Sequence, residues 1–455
     1  MKIKWLKKRG GGDTLVFFGG FACAETLLDG MRLPNCDVCL VYDYGDFGGG
    51  LDFSQYKNVY VCAWSFGVKA ADVFTRNMEN VRMRVAVCGT NAPVGGRAGI
   101  PRAVFEKTVA EFETSAGKFF RRVCGAGGVP EGMSSAGGAA LAAQLARFEK
   151  FFAQNPGPLC RWDYAFACAG DTIFPPRAVK AAFGNVSVWE GLHLNRSLLE
   201  YALNVPFSSG RVCAAFERRA AVYDKSSVAQ RNVGLYLRER LCEMFAGRTF
   251  EEAFEFGCGT GFFSAQIMRH LSCKRYFVND SSLRLCAAAA KRLGAEFTAG
   301  QIESVAVPCS PDLILSASCL QWVKNRAAVY KKLFAAARPG AVAALGSFGK
   351  KNFAELSELG IAPLEYDTLE KFAGEVSAAG FEILYSAEEK FSFLLPAPRD
   401  VLLHIKNTGV NGASASFWTP QKFARFAAEY SRRFSDFGGV RLTYNPIYVI
   451  ARKPQ

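Results

Sequence analysis

A serine between a predicted strand and a predicted helix is the first residue of this chain with a type and place suited to chemistry. Ser65 follows the apolar residues 59–63 and precedes a small-residue segment that begins at Gly67. A sharp turn here would expose the hydroxyl and place the following N–H groups at a helix start. The pattern favours a nucleophile, although Ala63 stands where GxSxG has its first glycine. The alternative is a serine that only caps the helix.

A base and an acid follow in an order that fits this nucleophile. Serine at neutral pH needs an adjacent base, and His193 is the only histidine before residue 270. Asp171 lies upstream of it, just after a predicted strand at residues 164–168. Ser, Asp, His is the order of α/β-hydrolases, so we expect Asp171 to orient the imidazole. Asp171 as a turn former and His193 as a surface histidine are the alternatives.

Backbone N–H groups near the serine are candidates for an oxyanion hole. An early predicted strand, residues 15–18, runs into two glycines and a phenylalanine. We expect the N–H of Gly20 or Phe21 to act together with the N–H of Phe66. Each such donor is typically worth about 3 kcal/mol of transition-state stabilisation.

Three segments carry a resemblance to a known family: Phe17-Phe18-Gly19-Gly20-Phe21, Ala63-Trp64-Ser65-Phe66-Gly67-Val68 and Gly170-Asp171-Thr172-Ile173-Phe174-Pro175. Over residues 12–205 the chain resembles the small biotin-pathway carboxylesterases that cleave pimeloyl-[acyl-carrier protein] methyl ester, which also carry Ala-Trp-Ser at this turn. The resemblance implies an α/β-hydrolase domain at residues 1–207, with Ser65, Asp171 and His193 as its catalytic triad.

A second strand–glycine–helix unit predicts a nucleotide-type cofactor site. The turn Gly257-Cys258-Gly259-Thr260-Gly261 reads GxGxG, and Glu255 lies two residues before its first glycine. Such glycines let the backbone approach a methionine moiety and a sugar without Cβ clashes, which favours S-adenosylmethionine. Asp280 ends the next predicted strand, where an acid can accept both ribose hydroxyls; its alternative is a helix N-cap. Gln301 lies in the loop that usually presents an acid to the adenine amino group.

A second resemblance, to malonyl-[acyl-carrier protein] O-methyltransferases of biotin synthesis, covers residues 213–453. It rests on residues 216–224, Leu320-Gln321-Trp322, Arg338-Pro339-Gly340 and residues 403–411. It implies a class I, Rossmann-like methyltransferase domain at residues 213–455 that uses S-adenosylmethionine. Two departures from the family are Ser316-Ala317 in place of Ser-Asn and Gln301 in place of the acid.

The acceptor side of this second site is less defined by the sequence. Tyr223 and Trp322 are placed to close the site around the donor methyl, although aromatic residues at such places are more often plain packing. A carboxylate acceptor is already ionised at pH 7. Catalysis would then be mainly alignment and dehydration, and we predict no general base.

The elements that must position these residues alternate along the chain in an α/β pattern. A chain of 455 residues is too long for one ordinary core, so two or three domains are expected. The turn-rich residues 206–211 mark the predicted boundary. Helical periodicity between Pro93 and Pro158 predicts a cap over the first sheet at about residues 93–158. The predicted strands are residues 15–18, 38–42, 59–63, 85–88, 164–168 and 186–189, and then residues 277–279, 313–316 and 342–345.

Composition narrows the partners and the compartment. The formal net charge of +14 is shared by both halves and favours acidic partners by steering, of which nucleic acid and an acidic carrier protein are two. The 15 cysteines are scattered and suggest a reduced, cytoplasmic protein. Cys36-Asp37-Val38-Cys39 lacks a second pair for zinc, so we predict no metal. The basic residues 1–9 and apolar residues 15–21 look like a signal peptide interrupted by glycines, and a first strand is the favoured interpretation.

The sequence therefore predicts a bifunctional enzyme whose partner is the acyl carrier protein, with no nucleic-acid or membrane partner. The methyltransferase half would esterify the free carboxylate of malonyl-[acyl-carrier protein], and the hydrolase half would later cleave the pimeloyl methyl ester. One alternative is a general acyl esterase or thioesterase joined to a small-carboxylate or RNA methyltransferase. Another is a hydrolase-like half that has lost its chemistry and only docks the carrier protein.

Overall fold

The computed structural model describes residues 1–47, 50–125, 128–207, 227–361, 364–408 and 419–455. The chain divides into two compact units, Met1–Ser208 and Ser209–Gln455. Each is built on a seven-stranded, largely parallel sheet, so the predicted mixed α/β class is confirmed. In the described ranges, helices long and apolar enough to cross a membrane are not found. Residues 216–224, on which the second resemblance partly rests, lie outside the described residues, as does most of the segment 206–211.

Six of the seven strands in the sheet of the first unit are parallel to one another. The strands are β1 (Lys2–Lys7), β2 (Asp13–Phe18), β3 (Asp37–Tyr42), β4 (Asn58–Trp64), β5 (Val81–Val87), β6 (Tyr164–Cys168) and β7 (Ser187–Trp189). Their order is β1-β3-β2-β4-β5-β6-β7, and only the pair β1–β3 is antiparallel. The central strands are apolar and buried, as parallel strands covered on both faces must be.

Helices cover this sheet, and two of them lie in the segment that the sequence predicts as a cap. They are α1 (Gly67–Phe74), α2 (Arg102–Cys124), α3 (Gly138–Gln154), α4 (Pro176–Phe183) and α5 (Arg196–Asn204). The two longest, α2 and α3, fall inside the predicted insertion at about residues 93–158 and pack on each other. Each buries one stripe of side chains, including Phe105 and Phe112 of α2 and Leu145 and Phe148 of α3, which is the pattern of an amphipathic helix.

Strand β1 differs from the sequence interpretation. The basic first residues, considered above only as part of a signal-like segment, form an edge strand antiparallel to β3. Lysines on an edge strand discourage pairing with another chain, and this accounts for their presence in a strand. A second difference is small: Cys88 was included in a predicted strand but lies one residue beyond β5, with φ 45°.

The second unit has the doubly wound arrangement of nucleotide-binding sheets. Its main strands are β8 (Thr249–Phe256), β9 (Ser272–Asp280), β10 (Glu296–Ala299), β11 (Leu313–Ala317), β12 (Val342–Phe348), β13 (Glu382–Glu388) and β17 (Pro446–Arg452). The order is β10-β9-β8-β11-β12-β17-β13, and β17 runs antiparallel to both of its neighbours. The connections reverse direction between β8 and β11, and ligands bind beyond the carboxyl ends of the strands at such a point.

The remaining elements of this unit surround the sheet. The helices are α6 (Val228–Met244), α7 (Phe262–His270), α8 (Leu283–Leu293), α9 (Arg326–Ala336), α10 (Ala354–Glu358), α11 (Leu369–Ala378), α12 (Pro398–Asn407) and α13 (Pro420–Phe434). A small antiparallel sheet, in the order β14-β16-β15, consists of β14 (Phe391–Leu395), β15 (Ser435–Asp436) and β16 (Gly439–Tyr444).

Candidate active sites

Ser65 lies on a strained turn between β4 and α1. Its φ is 58°, in the left-handed region that residues with a Cβ rarely adopt. Glycines make room for the turn: a Cβ on Gly67 would lie 2.3 Å from the carbonyl oxygen of Phe18, and one on Gly89 would lie 2.2 Å from that of Ser65. The predicted crowding is therefore present, and Ala63 is simply a buried residue of β4.

The three predicted triad residues meet at the carboxyl edge of the first sheet. Ser65 follows β4, Asp171 follows β6 and His193 follows β7. The Oγ of Ser65 lies 2.9 Å from Nε2 of His193, and Nδ1 of His193 lies 2.8 Å from Oδ2 of Asp171. All three side chains are buried. The structure thus brings a serine hydroxyl, an imidazole and a carboxylate into hydrogen-bond contact, in the arrangement that the sequence predicts.

The acid is held so that it fixes the imidazole. Oδ1 of Asp171 accepts hydrogen bonds from the N–H groups of Ile173 and Phe174, at 2.8 and 2.9 Å, which leaves Oδ2 for the histidine. A carboxylate at Nδ1 favours the tautomer whose Nε2 lone pair faces the serine. Asp171 therefore forms a turn and also contacts His193.

Two of the simpler alternatives are wrong. His193 is 2 % exposed, so it is not a surface histidine. The hydroxyl of Ser65 forms a hydrogen bond with that histidine, and the N-cap residue of α1 is Phe66. Ser65 is therefore not a residue that only caps the helix.

Backbone amides beside Ser65 are available for an oxyanion. A Cβ on Gly20 would lie 2.6 Å from Cβ of Ser65, so this glycine lies directly against the nucleophile. The N–H of Ala22 donates to a cap side chain at 3.0 Å. By contrast, the N–H groups of Gly20, Phe21 and Phe66 donate to no acceptor within the described part of the chain. Their role as oxyanion donors stays a prediction.

An aromatic cluster surrounds Phe66, the residue after Ser65. The ring of Phe66 lies 5.3 and 5.1 Å from the rings of Phe148 and Phe152 in α3, and 6.0 Å from Phe105 in α2. Phe174, in the loop that also carries Asp171, contacts the same ring at 5.8 Å. Helices α2 and α3 therefore contribute to an apolar wall around Phe66.

The glycine turn of the second unit joins β8 to α7, as predicted. Gly257, Gly259 and Gly261 have φ of 71°, 52° and 76°, which glycine adopts at least cost. A Cβ on Gly257 would lie 2.3 Å from Cβ of Cys319, whereas one on Gly259 would meet open space within the described residues. The backbone at Gly259 can therefore be approached closely by a ligand.

Asp280 braces this turn from the end of β9. Its Oδ2 accepts from the N–H of Gly259 and its Oδ1 from the N–H of Ser282, both at 2.9 Å. The N-cap of α8 is Ser282, whose side chain accepts from the N–H of Leu285, so the capping alternative for Asp280 is wrong. The acid and the glycine turn meet at the carboxyl ends of β9 and β8, next to the point where the sheet order reverses.

Glu255 is a buried acid at the end of β8. It is 2 % exposed, and the hydroxyl of Tyr276 donates to its Oε2 at 2.6 Å. Burial raises the pKa of Glu255 from its ordinary value of 4.5 to about 7, because a low-dielectric environment disfavours the charged form. The residues at this edge fit S-adenosylmethionine: an open glycine backbone with acids on two adjacent strands.

The structure shows less about the remaining residues predicted for this site. Gln301 is exposed and follows β10, and the preceding Gly300 donates its N–H to the carbonyl of Asp280 at 3.0 Å. Its contact with adenine stays a prediction. Trp322 ends a short 3-10 helix, Leu320–Trp322, after β11. Tyr223 lies outside the described residues.

Three residues that support the two candidate sites are not predicted from the sequence. Cys319 packs against Gly257, and the amide of Asn279 donates to the carbonyls of Thr298 and Gly300, which ties β9 to β10. The third, Gln144, is the cap residue that receives the N–H of Ala22. Of these, only Asn279 could have been found from the sequence, since it directly precedes Asp280 at the end of a strand.

These features define a mixed α/β protein whose second unit has a methyltransferase fold. Residues 1–199 match the family of the pimeloyl-ACP methyl esterase BioG, and residues 254–343 match a methyltransferase domain family. A malonyl-[acyl-carrier protein] O-methyltransferase of Bacteroides fragilis is 30% identical over 97% of this chain and 93% of its own length. The chain belongs to this family, and its predicted resemblance to a fusion of the two families is confirmed.

Further similar proteins cover one part of the chain each. A malonyl-[acyl-carrier protein] O-methyltransferase of Porphyromonas gingivalis is 32% identical and spans 53% of this chain and 94% of its own. The crystal structure of BioG from Haemophilus influenzae is 26% identical, covers 44% of this chain and 96% of its own, and has a TM-score of 0.40.

Proposed function

We propose that this chain is a cytoplasmic, bifunctional enzyme of biotin biosynthesis. Residues 213–455 methylate the free carboxylate of malonyl-[acyl-carrier protein] with S-adenosylmethionine. Residues 1–207 hydrolyse pimeloyl-[acyl-carrier protein] methyl ester to pimeloyl-[acyl-carrier protein] and methanol. The observation that carries the proposal is the presence, in one chain, of a Ser–His–Asp arrangement and a glycine turn braced by an acid. One site suits the cleavage of a methyl ester and the other its formation.

Ester hydrolysis follows from the geometry around Ser65. Its Oγ attacks the ester carbonyl while Nε2 of His193 takes the proton. The N–H of Phe66, with that of Gly20 or Phe21, stabilises the oxyanion. His193 then gives this proton to the methoxy oxygen, which leaves as methanol. In the second step the same nitrogen takes a proton from a water that attacks the acyl-enzyme carbonyl, and returns it to Oγ of Ser65 as pimeloyl-[acyl-carrier protein] is released. The carboxylate of Asp171 stabilises the imidazolium.

Methyl transfer requires less of the protein. S-adenosylmethionine supplies a methyl group on a sulfonium, which is an activated donor. The backbone at Gly257, Gly259 and Gly261 would hold its methionine and sugar, Asp280 would accept from the ribose hydroxyls, and Gln301 would accept from the adenine amino group. Because the acceptor carboxylate is already ionised at pH 7, these residues act by alignment and by exclusion of water.

The two reactions make chemical sense on one carrier-bound acyl chain. Methylation removes the charge of the free carboxylate, so that the chain can be elongated in apolar sites, and hydrolysis later restores the charge. The apolar wall around Phe66 supports an acyl substrate in the first unit. A net charge of +14 supports an acidic carrier protein as the partner. Nucleic acid is not part of the proposal.

Growth without biotin tests the proposal. The full chain is expressed in two strains, one lacking the malonyl methylation step and one lacking the pimeloyl ester hydrolysis step. We expect wild type to restore growth to both, Ser65→Ala only to the first and Asp280→Ala only to the second. If wild type fails in either strain while the protein is present at normal levels, the corresponding activity is not the one proposed.

A further inference from the structure

Gln144 connects the cap to the loop that follows β2. Its side chain lies in α3 and is 8 % exposed. Its Oε1 accepts from the N–H of Ala22 at 3.0 Å, and its Nε2 donates to Oδ1 of Asp43 at 3.1 Å. One cap side chain therefore holds two loops, at the carboxyl ends of β2 and β3.

Both loops are held in conformations that need support. Ala22 has φ 57° and Asp43 has φ 46°. Residues with a Cβ persist in this region only when their surroundings hold them there. A second contact holds Asp43 from the other side, since Nζ of Lys2 lies 2.7 Å from its Oδ2. The contacts thus run without a break from β1 through Asp43 and Gln144 to Ala22.

The loop that begins at Gly20 is the one proposed to supply an oxyanion donor. Gly20 lies against Ser65, and its N–H and that of Phe21 precede the strained Ala22 by one or two residues. The N–H of Phe21 belongs to the peptide directly before the one that Gln144 holds, and the N–H of Gly20 to the peptide before that, so a displacement of the backbone at Ala22 would shift these N–H groups relative to Oγ of Ser65. The cap also reaches the loop through its backbone: Gly132 accepts from the N–H of Ala24 at 3.0 Å.

We propose that Gln144 is a positioning residue that couples the seating of the cap to the geometry of the oxyanion hole. It does not touch the reacting atoms, and it acts through the peptide at Ala22. A cap that is seated correctly sets the oxyanion donors, so that the hydrolase is fully active only when α3 lies in place. The inference rests on the proposed esterase activity.

Gln144→Met tests this coupling, because methionine keeps the length of the side chain and loses both hydrogen bonds. The matched control is Gln154→Met, the same change at an exposed position of α3. Both variants of the full chain are assayed with p-nitrophenyl acetate, which is too short to use the cap, and with pimeloyl-[acyl-carrier protein] methyl ester.

We expect Gln144→Met to lower kcat about 10- to 100-fold for both esters, somewhat less than the loss of a whole oxyanion donor. The KM for p-nitrophenyl acetate should stay near that of wild type, and Gln154→Met should behave as wild type. A fall confined to the pimeloyl ester would overturn the proposal, since it would mean that Gln144 only holds the cap for long acyl chains. Wild-type kcat on both esters would overturn it as well.

Two further measurements separate the possible failures. Melting curves show whether Gln144→Met folds; if it does not, Gln144→Glu is used, which keeps an acceptor for Ala22 and loses the donor to Asp43. We expect kcat of this variant to be below wild type on both esters, and an unchanged kcat would contradict the coupling. Failure of the proposed function looks different: wild type itself would hydrolyse neither ester and its Ser65 would not react with a fluorophosphonate.

Discussion

Replacing Asp171 by asparagine removes the acid of the first site with little change in its shape. In the structure Oδ1 of Asp171 accepts two backbone N–H groups, and Oδ2 contacts Nδ1 of His193 at 2.8 Å. The carbonyl oxygen of an asparagine can keep both backbone hydrogen bonds. Its amide then faces Nδ1 and donates where the carboxylate accepted.

The consequence is a histidine in the wrong tautomer. With Nδ1 accepting, Nε2 of His193 carries the proton and presents an N–H to Oγ of Ser65, 2.9 Å away. The serine then has no base, and the charge that stabilises the imidazolium is also lost. We expect Asp171→Asn to lower kcat about 10,000-fold, as the same change does in serine proteases, which corresponds to about 5 kcal/mol in the barrier.

The assay compares ester hydrolysis and methyl transfer in the same preparation. Asp171→Asn should lose hydrolysis of pimeloyl-[acyl-carrier protein] methyl ester, keep methylation of malonyl-[acyl-carrier protein] and melt close to wild type. The control is Asp163→Asn, which changes an exposed aspartate of the same unit. Hydrolysis by Asp171→Asn within tenfold of wild type would refute the assignment of Asp171.

Three other changes test the turns and the buried acid. Gly67→Ala should abolish soluble expression or hydrolysis, because its Cβ would lie 2.3 Å from the carbonyl oxygen of Phe18; wild-type activity would contradict the crowded turn. Asp280→Ala should weaken S-adenosylmethionine binding about 10- to 100-fold in calorimetry, since charged hydrogen bonds are lost. The pKa of Glu255 is raised to about 7 from an ordinary 4.5, so between these pH values the folded state binds more protons than the unfolded state. The contribution of Glu255 to folding stability is therefore full below about pH 4.5 and is lost as the pH rises through about 7. Raising the pH from 5 to 8 should therefore lower the free energy of unfolding of wild type by on the order of 3 kcal/mol more than that of Glu255→Gln. Melting curves should show a correspondingly larger fall in the Tm of wild type, and equal falls in the two proteins would count against this.

Local patterns made much of both sites predictable. Ser65 and the turn Gly257–Gly261 each lie between a strand and a helix, so the neighbouring residues predict their place at the edge of a sheet. His193 could be selected because the first half has one histidine. The structure adds that Asp171 and His193 share a hydrogen bond, which depends on the order of β6 and β7 in the sheet.

Contacts between distant segments were beyond sequence reasoning. Gln144 meets Ala22 across 122 residues, and this contact depends on how the cap is seated, which no local pattern encodes. Strand β1 alternates lysines with Ile3 and Trp5, but its six residues are exposed or half-buried, as on an edge strand, and its basic character hides this short pattern. Likewise, the insertion of β17 between β12 and β13 follows from packing of the whole sheet, and the strand alone reads only as a buried apolar run.

The most direct test of two independent chemistries on one chain is the pair of reaction rates of Ser65→Ala. Purified full-length wild type and variant are given malonyl-[acyl-carrier protein] with S-adenosylmethionine, and separately pimeloyl-[acyl-carrier protein] methyl ester. We predict that the variant methylates at the wild-type rate, while its hydrolysis falls by about 10⁶-fold. Hydrolysis by Ser65→Ala near the wild-type rate, or loss of both activities in a folded variant, would contradict the account.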